Sequence, residues 1–247
     1  DHLLFLEYHR QFTHSLFFIP FGALICSLFF WFFIHARHIC NFKTCLLACL
    51  AGYATHGLID SCTTYGTVLF WPFSDMRVAW SIISIIDPLF TGFIIIGLIT
   101  SIYKPSITIA YVTVLCAFLY LSLGAYQNYR VTNEMYNIAK SRNHAIDEVF
   151  VKPSFANIVV WRTVYLYEDR FYIDAIRAGR VFEQFKGGTV RQFALQKELE
   201  SRKLSSVHEY DLQRFNWFTN DMLGFSNTDP NRIIDVRYSL LPNGLDS

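Results

Sequence analysis

The sequence predicts an all-α membrane region of about four transmembrane helices, followed by a small α+β soluble domain. Three observations carry this reading. Hydrophobic residues are 53% of the 247 and charged residues 17%, against roughly 45–50% and about 25% in ordinary globular chains. Charge is unevenly spread: residues 1–129 hold five basic and five acidic side chains, whereas the remaining 118 hold sixteen and fifteen. The apolar half contains uncharged runs such as Ser15–Ile34, which as helix spans about 30 Å, one hydrocarbon thickness. This composition excludes disordered, collagen-like and disulfide-scaffold chains. A formal net charge of +1 also argues against direct nucleic-acid contact through bulk positive charge.

Taken in order, the expected spans are Ser15–Ile34, Thr44–Phe70, Val78–Tyr103 and Ser106–Tyr126. The two middle ones carry internal polar residues, His56 with Asp60 and then Asp87, yet are otherwise too apolar and too long for loops. The first is too long for a cleaved signal and lacks a small-residue cleavage pattern. Six cysteines (26, 40, 45, 49, 62 and 116) all fall in this half without a CxxC pair, and read as small apolar fillers, the alternative being a thiolate metal site or disulfide. Arg37 and Lys43 flank the first loop and Lys104 follows the third span. Positive-inside reasoning places both loops in the cytoplasm, and therefore the N-terminus, Ser74–Arg77 and the charged C-terminal half outside. The domain boundary is drawn between 1–128 and 129–247.

The ionisable residues within the spans are the informative ones, because charge is expensive there. His56 and Asp60 stand at i and i+4, on one helical face about a turn apart, where imidazole nitrogen and carboxylate oxygen can hold one divalent ion. The alternative is a hydrogen-bonded pair that joins two helices. His9 and His14 lie at the mouth of the first span, five residues apart, and converge only if the segment bends there or if other ligands close the site. Asp87 precedes Pro88; it is either a buried ligand or an N-cap to a helix that starts at the proline. In the expected topology these five residues share one outer level. His2 lies close enough to join them, whereas His35 and His38 belong to a basic loop. Thr63-Thr64-Tyr65-Gly66-Thr67 and Trp71-Pro72-Phe73-Ser74 come next in the chain. They either orient ligands and substrate or form a helix stop with an interfacial aromatic belt.

His9-Arg10-x-x-Thr13-His14-Ser15, His56-Gly57-Leu58-Ile59-Asp60, the Thr63–Thr67 run and Trp71-Pro72-Phe73-Ser74 together resemble the YdjM family. That family is described as inner-membrane, LexA-binding, metal-dependent hydrolases. The likeness covers about residues 1–125. Val160–Arg162 and Arg237-Tyr238-Ser239 more weakly resemble the C-terminal extension of some members. It implies a multi-pass protein of the bacterial inner membrane whose motif positions are His9, His14, His56 and Asp60, with Arg10, Thr13 and Ser15 beside them. Two departures stand out. Gln11 replaces a usual Gly, and the upstream helix ending in a Pro-Asp-x-Asp-like element is represented at most by Asp1, so one more span is expected to be missing at the N-terminus. Rival signatures fail. The lipid-phosphatase pattern lacks its KxxxxxxRP and PSGH elements, His208-Glu209 lacks the second His of HExxH, and neither a P-loop nor GxSxG occurs.

In the charged half, Asn128–Glu148 reads as a helix leaving the membrane. Asn157–Tyr167 and Arg170–Ile176 read as a hairpin about Glu168-Asp169. Gly187-Gly188 is expected to break the chain, Val190–Arg202 and Val207–Leu223 to be helices with Gly224 as a stop, and Arg232–Leu240 to be a last strand. Trp161 and Trp217 are expected in the core.

The function so implied is metal-assisted hydrolysis. A divalent ion, zinc by its His content, is held by His14, His56 and Asp60, with His9 and Asp87 as catalytic or additional ligand groups. Arg10, Thr13, Ser15, Thr63 and Thr64 support them. Membrane lipids surround the site, and a small-molecule or lipid-linked substrate is implied by its depth. The rival reading is a non-enzymatic scaffold or ion-handling protein whose intramembrane His and Asp residues pair with one another.

Overall fold

Apolar residues without an interruption make helices wherever backbone groups must satisfy themselves, and the N-terminal region is helical accordingly. The computed structural model describes residues 3–34, 40–201, 204–229 and 231–245. Its contacts group into two units, Glu7–Ser81, and Asp1–Leu6 with Ile82–Ser247.

A short helix α1 (Leu4–Tyr8) leads into the first unit, which continues with two 3-10 turns, Phe12–His14 and Leu16–Phe18. Ser15 sits between them, donating to the Phe12 carbonyl (2.8 Å) and accepting from Phe18 N–H (3.2 Å). Helix α2 (Ile19–Ile34) tolerates Pro20 in its first turn because the missing N–H would be unpaired there anyway. Helix α3 (Phe42–Ser61) is capped by Asn41, which accepts from Thr44 N–H at 2.9 Å, and packs on α2.

The second expected span, Thr44–Phe70, is shorter than the sequence suggests. Thr63 turns its hydroxyl onto the Asp60 carbonyl at 2.7 Å, and Gly66 adopts φ +61°, a left-handed turn that suits glycine. The chain then doubles back, with Thr67 and Val78 exchanging hydrogen bonds of 3.0 and 2.8 Å and Trp80 N–H reaching the Ser61 carbonyl at 2.8 Å.

In the second unit, α4 (Pro88–Tyr103) packs on α5 (Ile107–Ser141). The expected span Val78–Tyr103 is helical only from Pro88, since a proline ring is favoured at the first helical position and breaks a helix farther in. Among the described residues, the segments long and apolar enough to cross a membrane are Leu16–Phe33, Phe42–Ser61 and α5; α4 is a shorter apolar helix of 16 residues. All six cysteines are unpaired.

Helix α5 runs for 35 residues without interruption and buries one stripe: Tyr120, Gly124, Gln127, Val131, Met135 and Ala139. Spacings of three and four keep these on one face. The C-terminal part of the stripe supports an antiparallel sheet ordered β1 (Val149–Pro153), β2 (Val160–Tyr167), β3 (Arg170–Ala178), β4 (Phe182–Arg191). Gln127 donates to the Ala178 carbonyl at 2.9 Å, and the Thr163 hydroxyl meets the Met135 sulfur at 3.2 Å. The opposite face holds Val164, Phe171, Ile173 and Val190 against Ile234 and Val236. Both faces of β2 and β3 are therefore covered, whereas much of β4 stays exposed; Trp161 is fully buried as expected, and Trp217 is 37% exposed.

The hairpin forms as anticipated, with Glu168 left-handed at its turn (φ 56°). Gly187-Gly188 does not break the chain but lies inside β4, where Gly187 N–H donates to Asp174 at 3.2 Å beside a register shift. Residues 190–194 stay extended because Val190 and Phe193 turn inward, so helix α6 begins only at Leu195 (Leu195–Ser201). Helix α7 (Ser206–Thr219) ends at left-handed Asn220 rather than at Gly224. Gly224 instead belongs to β5 (Leu223–Phe225), paired with a short β6 (Ile233–Asp235).

Candidate metal centre

The site is built where the first 3-10 turn meets the last turn of α3. His56 and Asp60 project from one face of α3, with His56 Nε2 3.8 Å from Asp60 Oδ2. The bend between the two 3-10 turns brings His14 alongside, Nε2 to Asp60 Oδ2 3.1 Å, and the two imidazole centroids are 4.3 Å apart. One ligand atom from each of the three lies within 4.8 Å of the others. Close approach depends on Gly57: a methyl there would run into the His14 carbonyl oxygen. Tyr53, one turn earlier, fixes the same segment by donating to the Thr13 carbonyl at 2.9 Å.

Neighbouring side chains orient these groups. Thr13 Oγ1 lies 2.9 Å from His14 Nδ1, which leaves Nε2 facing Asp60. Arg10 places Nε 3.4 Å from Asp60 Oδ2 and donates from Nη1 to Thr63 Oγ1 at 2.8 Å. Its backbone is left-handed (φ 57°), a sparsely populated conformation for a residue with a side chain; its carbonyl accepts from Val68 N–H at 3.0 Å. Arg77 closes the loop by donating to the carbonyls of Tyr65 (3.1 Å) and His9 (2.5 Å). Ser61 and Thr67 hydroxyls meet at 2.7 Å beneath it. Side-chain exposures are 15% for His14, 20% for Asp60 and 52% for His56, so the group opens on the His56 side.

Donors that share a four-coordinate zinc at about 2.1 Å lie about 3.4 Å apart. The two separations from Asp60, 3.1 and 3.8 Å, bracket that value, the third lies within 4.8 Å, and two imidazoles with one carboxylate suit a borderline divalent ion. The residues therefore fit a metal, with His56 the most accessible of the three.

The family described as YdjM inner membrane protein matches residues 1–131, just over half of the chain. The chain belongs to the YdjM family. It matches no curated protein and no solved structure. The match takes in every residue of the group, and the family name with the apolar helices indicates a membrane location.

Other residues singled out in this YdjM-family region have different surroundings. The His9 ring meets Tyr65 edge-on at 6.4 Å. Its pKa lies below 6.5, lowered first by burial and then by the charges of Arg10, Arg77 and His14, with Asp60 opposing. Ser15 serves its two 3-10 turns, and Thr64 is buried. Asp87 belongs to the other unit. Oδ1 caps α4 by accepting from Leu89 and Phe90 N–H, both at 3.1 Å, and Oδ2 accepts from Tyr120 at 2.8 Å. Of its two sequence readings, the geometry matches the cap. Trp71 and Phe73 pack with Phe17 as an aromatic cluster (6.4 and 6.1 Å). His2, His35 and His38 lie outside the described residues.

Gly57, Tyr53 and Arg77 escape a reading of the sequence alone. Gly57 has a signal, its place inside the His56–Asp60 motif. Tyr53 and Arg77 act on backbone carbonyls, which no side-chain pattern announces.

Proposed function

We propose that this chain is a metal-dependent hydrolase of the bacterial inner membrane. His14, His56 and Asp60 are its ligands and zinc its ion. The observation that carries this reading is the mutual approach of three ligand atoms within 4.8 Å, with the other nitrogen of His14 already held by Thr13. Metal-binding histidines need such a partner to fix ring and tautomer. When bound, the ion supplies Lewis-acid polarisation of a scissile carbonyl or phosphoryl group. The chain's own residues do the rest. Thr13 orients His14, while Arg10 and Thr63 hold the Asp60 carboxylate and the turn after it. His9, whose pKa burial and the charges of Arg10 and Arg77 lower, is the proton acceptor. Asp87 enters as the cap of α4 rather than as a catalytic group.

In this reading residues 1–128 cross the membrane four times, one of the crossings being made by the shorter α4. Residues 129–247 form the outer, periplasmic part.

A second reading is favoured by one observation. Arg10 and His14 both reach the same oxygen of Asp60, as they would in a closed cluster that merely joins the first turns to α3. Metal analysis of full-length protein purified without chelator separates the two. We expect about one zinc per chain, reduced at least tenfold in His56→Ala and in Asp60→Ala. Wild-type protein without bound metal overturns the hydrolase reading and leaves the structural cluster.

A further inference from the structure

His56 is the exposed end of the metal centre, and it is also one wall of a groove between α2 and α3 with a volume of about 610 Å³. That volume lies within the range of small-molecule sites, about 300–1,000 Å³. The groove is lined along α3 by Thr44, Ala48, Gly52 and His56, and along α2 by Cys26 and Phe30. Four-residue steps keep the α3 members on one face. Apart from His56, these are small or apolar side chains, and a Cβ built on Gly52 meets nothing within 4 Å.

We infer that this groove holds the hydrocarbon chain of an amphipathic substrate whose anionic head group lies at His56. The inference rests on the metal-centre reading and deepens it to a substrate class. Length is one argument. Thr44 and His56 are twelve residues apart, about 18 Å of helix, close to half of a hydrocarbon core about 30 Å thick. The groove is therefore as deep as one leaflet, with one of the metal-centre residues, His56, at one end and Tyr53 and small or apolar side chains along the rest. Charge is the second argument. A divalent ion with Arg10 exceeds the one carboxylate of Asp60, so the centre favours an anionic head over a neutral or cationic one.

The probe is hexadecyl phosphate with a diazirine at the end of its chain, added to zinc-loaded full-length protein in phosphatidylcholine nanodiscs. Adducts are mapped by mass spectrometry and zinc content is measured in the same samples. We expect adducts concentrated at positions 26–30 and 44–52, and at least fivefold fewer there in Gly52→Leu. Adducts on the outward faces of α4 and α5 stay constant and zinc is retained. Gly52→Ala, which only begins to fill the space, should label like wild type. Labelling of the groove no denser than that of the lipid-facing helices, or indifferent to Gly52→Leu, overturns the inference while the metal centre stands. Groove labelling that is sensitive to Gly52→Leu in a protein that binds no zinc removes the metal reading and keeps the groove as a lipid site.

Discussion

At the scale of single residues, the His14, His56 and Asp60 group depends as much on a missing side chain as on those that converge. Gly57 lets α3 touch the backbone of His14, and any larger residue must push the two apart. Gly57→Ala is expected to cost about 1–3 kcal/mol through overpacking. It should also weaken zinc affinity about tenfold or more, the usual consequence of disturbing what orients a ligand. Competition with a chromogenic chelator measures the second effect. Zinc affinity equal to wild type would show that the His14 position does not depend on this contact. The three side chains of the group are legible in the sequence: His56 and Asp60 by their spacing, His14 by its motif. What joins them is not. His14 meets Asp60 where the chain forms two 3-10 turns about Ser15, a local arrangement that apolar periodicity does not report.

At the scale of elements, helices are legible where apolar length alone decides and less so where a terminus decides. The first part of α5 follows from its apolar composition, and its uninterrupted continuation to Ser141 joins two segments that the sequence presents separately. The ends of α3 and α4 are set by side chains that compete for the backbone, Thr63 at one and Asp87 at the other. In the strand-rich part, Gly187-Gly188 resembles an interruption because glycine weakens a strand. Its real use is to let β4 pass close to β3. Asp87 gives the sharpest test at this scale. Asp87→Ala removes the cap, worth about 0.5–2 kcal/mol, and strands the Tyr120 hydroxyl. Asp87→Asn keeps a capping oxygen and is expected to unfold within about 1 kcal/mol of wild type. Thermal unfolding in detergent compares them, and zinc content should be unchanged in both. Loss of zinc in Asp87→Asn would return Asp87 to the metal centre.

At the scale of the molecule, two halves of unlike chemistry share one chain. The family match covers the apolar half and only the first residues of the charged half; the strand-rich part lies beyond it. Loop charge sets the expected orientation. A reporter enzyme active only in the periplasm, fused after Leu245, is expected to be active, and a cytoplasm-specific reporter at the same place to be silent. The reverse pattern would invert the proposed topology. The feature that gives this orientation its consequence is α5. Its 35 residues extend about 52 Å, of which about 30 Å suffices to cross the hydrocarbon. The sheet is braced on the remaining length, about 20 Å, by buried side chains rather than hung from a flexible linker. In the proposed topology its height above the bilayer is set by helical rise, not by chain entropy. In that topology the strand-rich domain is a short post on the membrane, and anything it touches meets it at the membrane surface.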